Sequence, residues 1–166
     1  MRSMAAPMRS NVDIRHLRDE HAHLVETGWY FHAMVSRELP PPMADLEAVR
    51  HDLASSLIHH LRSEDQFVYP ELLASDDPRV RATARQFVVE MGGLSDAFRA
   101  YTAKWDAEGI ARDWSGFRAD SIAILKQLSQ RIVRENRDLY PLVEPNSPAR
   151  SQSVAPFPNL DAHVSN

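Results

Sequence analysis

Four polar residues stand at sequence positions where the surrounding pattern predicts apolar ones. His21, His60, Glu64 and Glu135 fall within runs of apolar residues spaced three and four apart, which is the spacing of a buried helix face. A buried carboxylate without a partner is costly, so two of them in one core need a cation or protons. The four residues therefore predict a buried site that holds either a metal ion or protons.

The spacing of these residues also predicts that they meet. His60 and Glu64 are four residues apart, so they point to the same side of one helix. In an antiparallel arrangement, the rise of 1.5 Å per residue places His21 and Glu64 roughly 14 Å from the same end of the bundle. Met91 and Glu135 reach a similar level within about two helical turns. We therefore expect the polar residues to converge on one layer.

Four long segments of helical periodicity would position this layer. They span residues 14–35, 46–67, 80–105 and 122–142, with a proline-rich stop after the first and a loop around 109–115 before the last. Glycine is scarce and no segment alternates like a strand. The pattern predicts an all-α fold, an up-down-up-down antiparallel four-helix bundle.

An internal repeat divides these segments into two copies of one helical hairpin. Residues 60–70 match residues 131–141 at an offset of 71, and residues 20–21 match residues 90–91 at an offset of 70. Each copy would supply half of the site. Two residues of the second copy stand where the repeat predicts histidine: Met91 and Arg131.

These motifs resemble those of the hemerythrin-like (HHE cation-binding) family over roughly residues 12 to 143. The motifs that carry the resemblance are Glu20-His21, His60-xxx-Glu64 followed by Tyr69-Pro70, and Glu135 followed by Leu139-Tyr140-Pro141-Leu142. The resemblance implies a four-helix bundle around a non-heme di-iron centre, with functions in oxygen binding, in sensing of oxygen, nitric oxide or peroxide, or in iron handling.

The resemblance also implies a role for each matched residue. His21 and His60 would be terminal ligands of one iron, and Glu64 and Glu135 would be bridging carboxylates. Because Met91 and Arg131 depart from the family's pattern, we expect at most one well-formed metal position, for iron or zinc.

Two functions follow from this site. The first is a metal-binding protein, not an enzyme, whose partners are a metal ion and a small diatomic or peroxide ligand. The second is a metal-free interaction or regulatory module. In that alternative Arg131, one helical turn before Glu135, replaces the metal charge and neutralises both buried carboxylates. The sequence does not identify a protein partner.

Composition restricts the remaining possibilities. A formal net charge of −4 gives no electrostatic reason to expect nucleic acid or a membrane surface as partner. The absence of cysteine excludes thiolate ligands and fits the cytoplasm. We predict a bundle over residues 12–143, a flexible N-terminus over 1–11 and a disordered tail over 144–166. Outside the site, we expect His32 at the core or its rim and four histidines at the surface: His16, His23, His51 and His59.

Overall fold

The computed structural model describes residues 13–144, and within this range the chain forms helices and no strands. The all-helical prediction is therefore confirmed. The predicted flexible N-terminus, and the predicted tail apart from Glu144, lie outside the described residues. In chain order the elements are α1 (Ile14–Val35), α2 (Met43–Ser63), π1 (Glu64–Val68), α3 (Tyr69–Leu73), α4 (Pro78–Met91), α5 (Gly93–Lys104), α6 (Ala107–Arg112), α7 (Trp114–Arg134), π2 (Glu135–Leu139) and α8 (Tyr140–Val143).

Aspartate side chains fix the beginnings of three helices. Asp13 accepts from the backbone N–H of Arg15 at 3.0 Å at the start of α1. Asp77 accepts from the backbone of the residue after Pro78 at the start of α4, and Asp113 accepts from Gly116 at the start of α7. These contacts satisfy N–H groups that have no partner inside the helix. The beginnings of α1, α4 and α7 are therefore set by aspartate caps.

Two short π-helical segments interrupt the two longest helical rods at equivalent positions. Elements α2, π1 and α3 run without a break over residues 43–73, and α7, π2 and α8 do so over 114–143. The π segments begin at Glu64 and at Glu135, so the offset of 71 that relates the sequences also relates the backbones. A π turn has more residues than an α turn, which changes the face that each later residue presents. In a regular α-helix Phe67, three residues after Glu64, would lie on the buried face, but it is 56% exposed and Val68 is buried instead.

Two local predictions were wrong. The third segment was predicted as one continuous helix, but it divides at Gly92 into α4 and α5. A side chain at Gly92 would place its Cβ 2.6 Å from the backbone oxygen of Val88, so the break requires glycine. The predicted loop around 109–115 contains α6, because the carboxylate of Asp106 accepts from the N–H of Gly109 at 2.7 Å and starts a helix there.

The polar layer lies between two apolar clusters. On α1, Leu17 belongs to one cluster, Leu24 belongs to the other, and His21 lies between them. The fourth segment repeats this order, because Ile132 and Leu139 belong to different clusters on either side of Glu135. Helix α1 packs against both α2 and α7. Apolar side chains therefore enclose the polar layer from both ends.

Candidate metal centre

The structure brings together the four polar residues that the sequence singled out. One ligand atom from each of His21, His60, Glu64 and Glu135 lies within 4.8 Å of the others, and all four residues are buried. The Nε2 atom of His21 lies 3.2 Å from Oε2 of Glu135, and Nε2 of His60 lies 3.5 Å from Oε1 of Glu64. The predicted convergence on one layer is therefore present.

The outward-facing nitrogen of His60 identifies the atom that the ring offers to the centre. Its Nδ1 lies 2.8 Å from Oε2 of Glu20. An ionised carboxylate only accepts hydrogen bonds, so Nδ1 carries the proton of a neutral ring. The lone pair on Nε2 then points into the layer, where it has no hydrogen-bond partner among the described residues. This is the orientation that a ligating histidine takes in metalloproteins.

His21 is held in the same way by a different residue. Its Nδ1 lies 3.0 Å from Oδ1 of Asn136, which also accepts from Nη1 of Arg18 at 3.3 Å. A guanidinium group only donates, so the atom facing Arg18 is the amide oxygen and His21 Nδ1 must be the donor. Nε2 of His21 therefore also directs a lone pair into the layer.

Arg131 binds both carboxylates from the other side of the layer. Its Nε donates to Oε1 of Glu135 at 2.6 Å, and its Nη2 donates to Oε2 of Glu64 at 2.7 Å. The third contact runs from Nη1 to the backbone oxygen of Met91 at 3.0 Å. Arg131 is only 5% exposed, so these charge-assisted bonds lie in the protein interior. One positive charge thus faces two negative ones, and one negative charge needs a further cation.

Two tyrosines complete the hydrogen bonding of the carboxylates. Tyr140 donates to Oε1 of Glu64 at 2.7 Å, and Tyr69 donates to Oε1 of Glu135 at 3.5 Å. Each copy of the repeat therefore sends its tyrosine to the carboxylate of the other copy. Burial first, and then the neighbouring carboxylates, raise the pKa of both phenols, so both remain donors. Sequence reasoning missed these roles, although the repeated Tyr-Pro pair was a signal for them.

The pKa values of the two buried carboxylates shift in opposite directions. Burial alone would raise the pKa of Glu64, but His60 and Arg131 outweigh it and hold that pKa well below its usual range. Burial raises the pKa of Glu135, and the charge of Glu64 adds to this effect. Burial would lower the pKa of His60, yet Glu64, Glu135 and Glu20 together raise it above 6.5. Both of these pKa shifts favour the protonated form, which is a positive ring for His60 and a neutral carboxyl for Glu135.

The donor set fits one metal ion and does not fit two. Two imidazole nitrogens and two carboxylate oxygens converge, and this combination suits Fe(II), Zn(II) or Mn(II). Oε2 of Glu135 and Nε2 of His60, both buried, lack hydrogen-bond partners within residues 13–144. The opposite half already contains the guanidinium of Arg131, and Met91 directs its backbone oxygen to that cation. A second metal ion there would compete with a fixed positive charge.

A cleft lies beside this centre, on the side of Arg131. It has a volume of about 710 Å³ and lies where Gly92 separates α4 from α5. Its lining includes Met91, Leu94, Ser129, Arg131 and Arg134. Met91 is half-buried and packs against an apolar cluster, as a residue at the edge of the core does. The other histidines within residues 13–144 lie as predicted: His32 is half-buried, and His16, His23, His51 and His59 are exposed.

The fold and the centre together define a class, an all-helical domain with a buried histidine and carboxylate site for a cation. The family model for the hemerythrin HHE cation-binding domain matches residues 12–143, and the chain belongs to this family. No curated protein and no solved structure matches the chain. Among the described helices, none is long and apolar enough to cross a membrane.

Proposed function

We propose that this protein binds one non-heme iron ion through His21, His60, Glu64 and Glu135, and that Arg131 serves as a permanent cation in the other half of the site. The observation that carries the proposal is that histidine nitrogens and carboxylate oxygens, all buried, face one another with their lone pairs. The inward Nε2 atoms of both histidines lie close to carboxylate oxygens. Of these atoms, Nε2 of His60 and Oε2 of Glu135 have no hydrogen-bond partner among the described residues. A divalent ion satisfies all of these atoms at once.

The surrounding residues would prepare the site before the ion arrives. Glu20 and Asn136 fix the orientation of the two imidazole rings, and such outer contacts typically strengthen metal binding by about 10- to 100-fold. Tyr140 and Arg131 each donate a hydrogen bond to one oxygen of Glu64. Only the remaining lone pairs of this carboxylate are therefore available to a metal ion. Iron, when bound, supplies a redox-active centre that can react with oxygen, nitric oxide or peroxide.

We therefore infer a role in sensing one of these small molecules or in iron handling, within the cytoplasm and without nucleic acid or membrane as partner. The cleft beside Arg131 supports access by a small molecule, since Met91 and Arg131 of the second half are part of its lining. The proposal includes the up-down-up-down order of four helices and a bundle that ends near residue 143. The packing of α1 against α2 and α7 supports that order.

Thermal unfolding with and without a chelator tests the proposal. Protein purified without chelator should contain metal and should lose thermal stability when the metal is removed. A ligand at 100 times its Kd stabilises the folded state by about 2.7 kcal/mol. His60→Ala should abolish this difference, whereas His51→Ala, which removes an exposed histidine from the same helix, should retain it.

The alternative function is a metal-free interaction module, and one observation favours it. Arg131 already bonds to both buried carboxylates, and a proton on His60 would complete the charge balance. In that case the purified protein would contain no iron, and added Fe(II) would not change its melting temperature. That result would refute iron binding and leave the bundle as an interaction domain.

A further inference from the structure

We propose that His16, Glu20 and His59 form a second, exposed site for a divalent transition-metal ion. Oε1 of Glu20 lies 3.2 Å from Nε2 of His16 and 3.2 Å from Nε2 of His59. The three ligand atoms all lie within 4.8 Å of one another. This cluster is separate from the buried centre and shares no ligand with it.

Two of the three ligands are side chains that lie one helical turn apart on the same helix. His16 and Glu20 are four residues apart on α1, so their side chains lie one above the other on the same face. His59 comes from α2, which packs directly against α1. The side chains of the two histidines are 66% and 69% exposed, so an ion can reach them from solvent. Rigid helices rather than loops therefore hold the three donors together.

Glu20 is fixed in the orientation that the outer site needs. Its Oε2 atom accepts from Nδ1 of the buried His60 at 2.8 Å, and its side chain is only 14% exposed. The other oxygen, Oε1, is thereby directed towards His16 and His59. An ordinary surface ion pair must order two mobile side chains and therefore contributes little to stability. Here the carboxylate is already ordered by a contact that belongs to the interior.

The donor chemistry identifies the class of ion. Two imidazole nitrogens and one carboxylate oxygen suit Zn²⁺, Co²⁺, Ni²⁺ and Cu²⁺, whereas Mg²⁺ and Ca²⁺ prefer oxygen donors. Three protein ligands leave positions for water. Glu20 also links the two sites, since one of its oxygens would bind the outer ion while the other orients the inner ligand His60.

Calorimetric titration of the full chain with Zn²⁺ tests the outer site. Wild type should bind two ions, and His16→Ala/His59→Ala should bind one. The matched control is His23→Ala/His51→Ala, which removes one exposed histidine from each of the same two helices and should still bind two. Equal stoichiometry in wild type and in His16→Ala/His59→Ala would overturn the proposal.

A third variant separates this proposal from the proposed iron centre. His21→Ala removes an inner ligand that does not contact Glu20, so it should retain the outer ion alone. If the inner centre does not bind metal, wild type and His21→Ala should both bind one ion, which His16→Ala/His59→Ala should lose. Failure of the outer site alone would give one ion in wild type, retained in His16→Ala/His59→Ala and lost in His21→Ala.

Discussion

The two halves of the buried layer come from the two copies of the sequence repeat, but their buried carboxylates are neutralised in different ways. In the first half, His21 and His60 keep their inward lone pairs, and Asn136 and Glu20 hold the rings from outside. In the second half the guanidinium of Arg131 takes one oxygen from each carboxylate. One half is therefore suited to an exchangeable cation, and the other contains a permanent one.

The residues outside the ligands show the consequence of this difference. Glu20 is largely buried because it supports His60, whereas its counterpart in the repeat, Glu90, is exposed and pairs with Gln86 and Arg134. Asn136 contacts His21, whereas its counterpart Asp65 is exposed. Where the repeat has no histidine, the counterpart of the orienting residue is therefore exposed. The outer residues belong to the site only in the half that retains its imidazoles.

The largest expected effect comes from removing the permanent cation. Arg131→Met leaves two buried carboxylates facing each other, and breaking a buried pair in this way costs about 3–5 kcal/mol of stability. Added divalent metal should restore part of this loss, because an ion can then bind the free oxygens. Chemical unfolding of the metal-free protein measures the effect. Arg134→Met, which removes the partly exposed partner of Glu90, should cost much less. Equal losses of stability in the two variants would contradict a special role of Arg131.

Restoring the second half should make the two halves alike. The double variant Met91→His/Arg131→His replaces the permanent cation with two imidazoles at the positions that the repeat assigns to histidine. We expect it to bind one more Fe(II) per chain than wild type, as measured by metal analysis after anaerobic loading. The single variant Met91→His keeps Arg131 and should bind no additional ion. An additional ion in that single variant would show that Arg131 does not exclude the second metal.

A smaller effect should follow from the outer residues. Asn136→Leu removes the acceptor that orients His21 and should weaken inner metal binding by about 10- to 100-fold. Asp65→Leu changes the counterpart in the second half and should leave the affinity unchanged, since Asp65 is exposed. Competition with a chelator of known affinity measures both. Equal losses would mean that Asn136 acts only through general packing.

The smallest effect concerns pH. The surrounding carboxylates raise the pKa of His60 above 6.5 in the folded, metal-free protein. A raised pKa contributes stability that is fully present below the unfolded pKa of about 6.5 and is lost as pH rises through the folded pKa. The difference in melting temperature between metal-loaded and chelated protein should therefore grow from pH 6 to pH 8. In His60→Ala this growth should be absent, and a difference that shrinks with pH in wild type would contradict the prediction.

The sequence predicted the all-helical class and the meeting of His21, His60, Glu64 and Glu135, because periodicity and spacing are local properties. It did not predict the two π segments, since a spacing of three and four assumes regular α-helix on both sides of each glutamate. Tyr140 and Asn136 were also missed as members of the site. Their contacts depend on how side chains from different helices are aimed, and this direction is set only by tertiary packing.

Iron content of the His16→Ala/His59→Ala protein tests whether the buried centre binds one iron ion, because this variant removes the proposed outer site. The protein should be loaded with Fe(II) without oxygen, freed of unbound metal and analysed for iron and for its absorption spectrum after exposure to air. We expect one iron per chain and no absorption band of an oxo-bridged pair of irons. Two irons per chain with that absorption would show that Arg131 does not occupy the second half, and absence of iron would refute the metal centre.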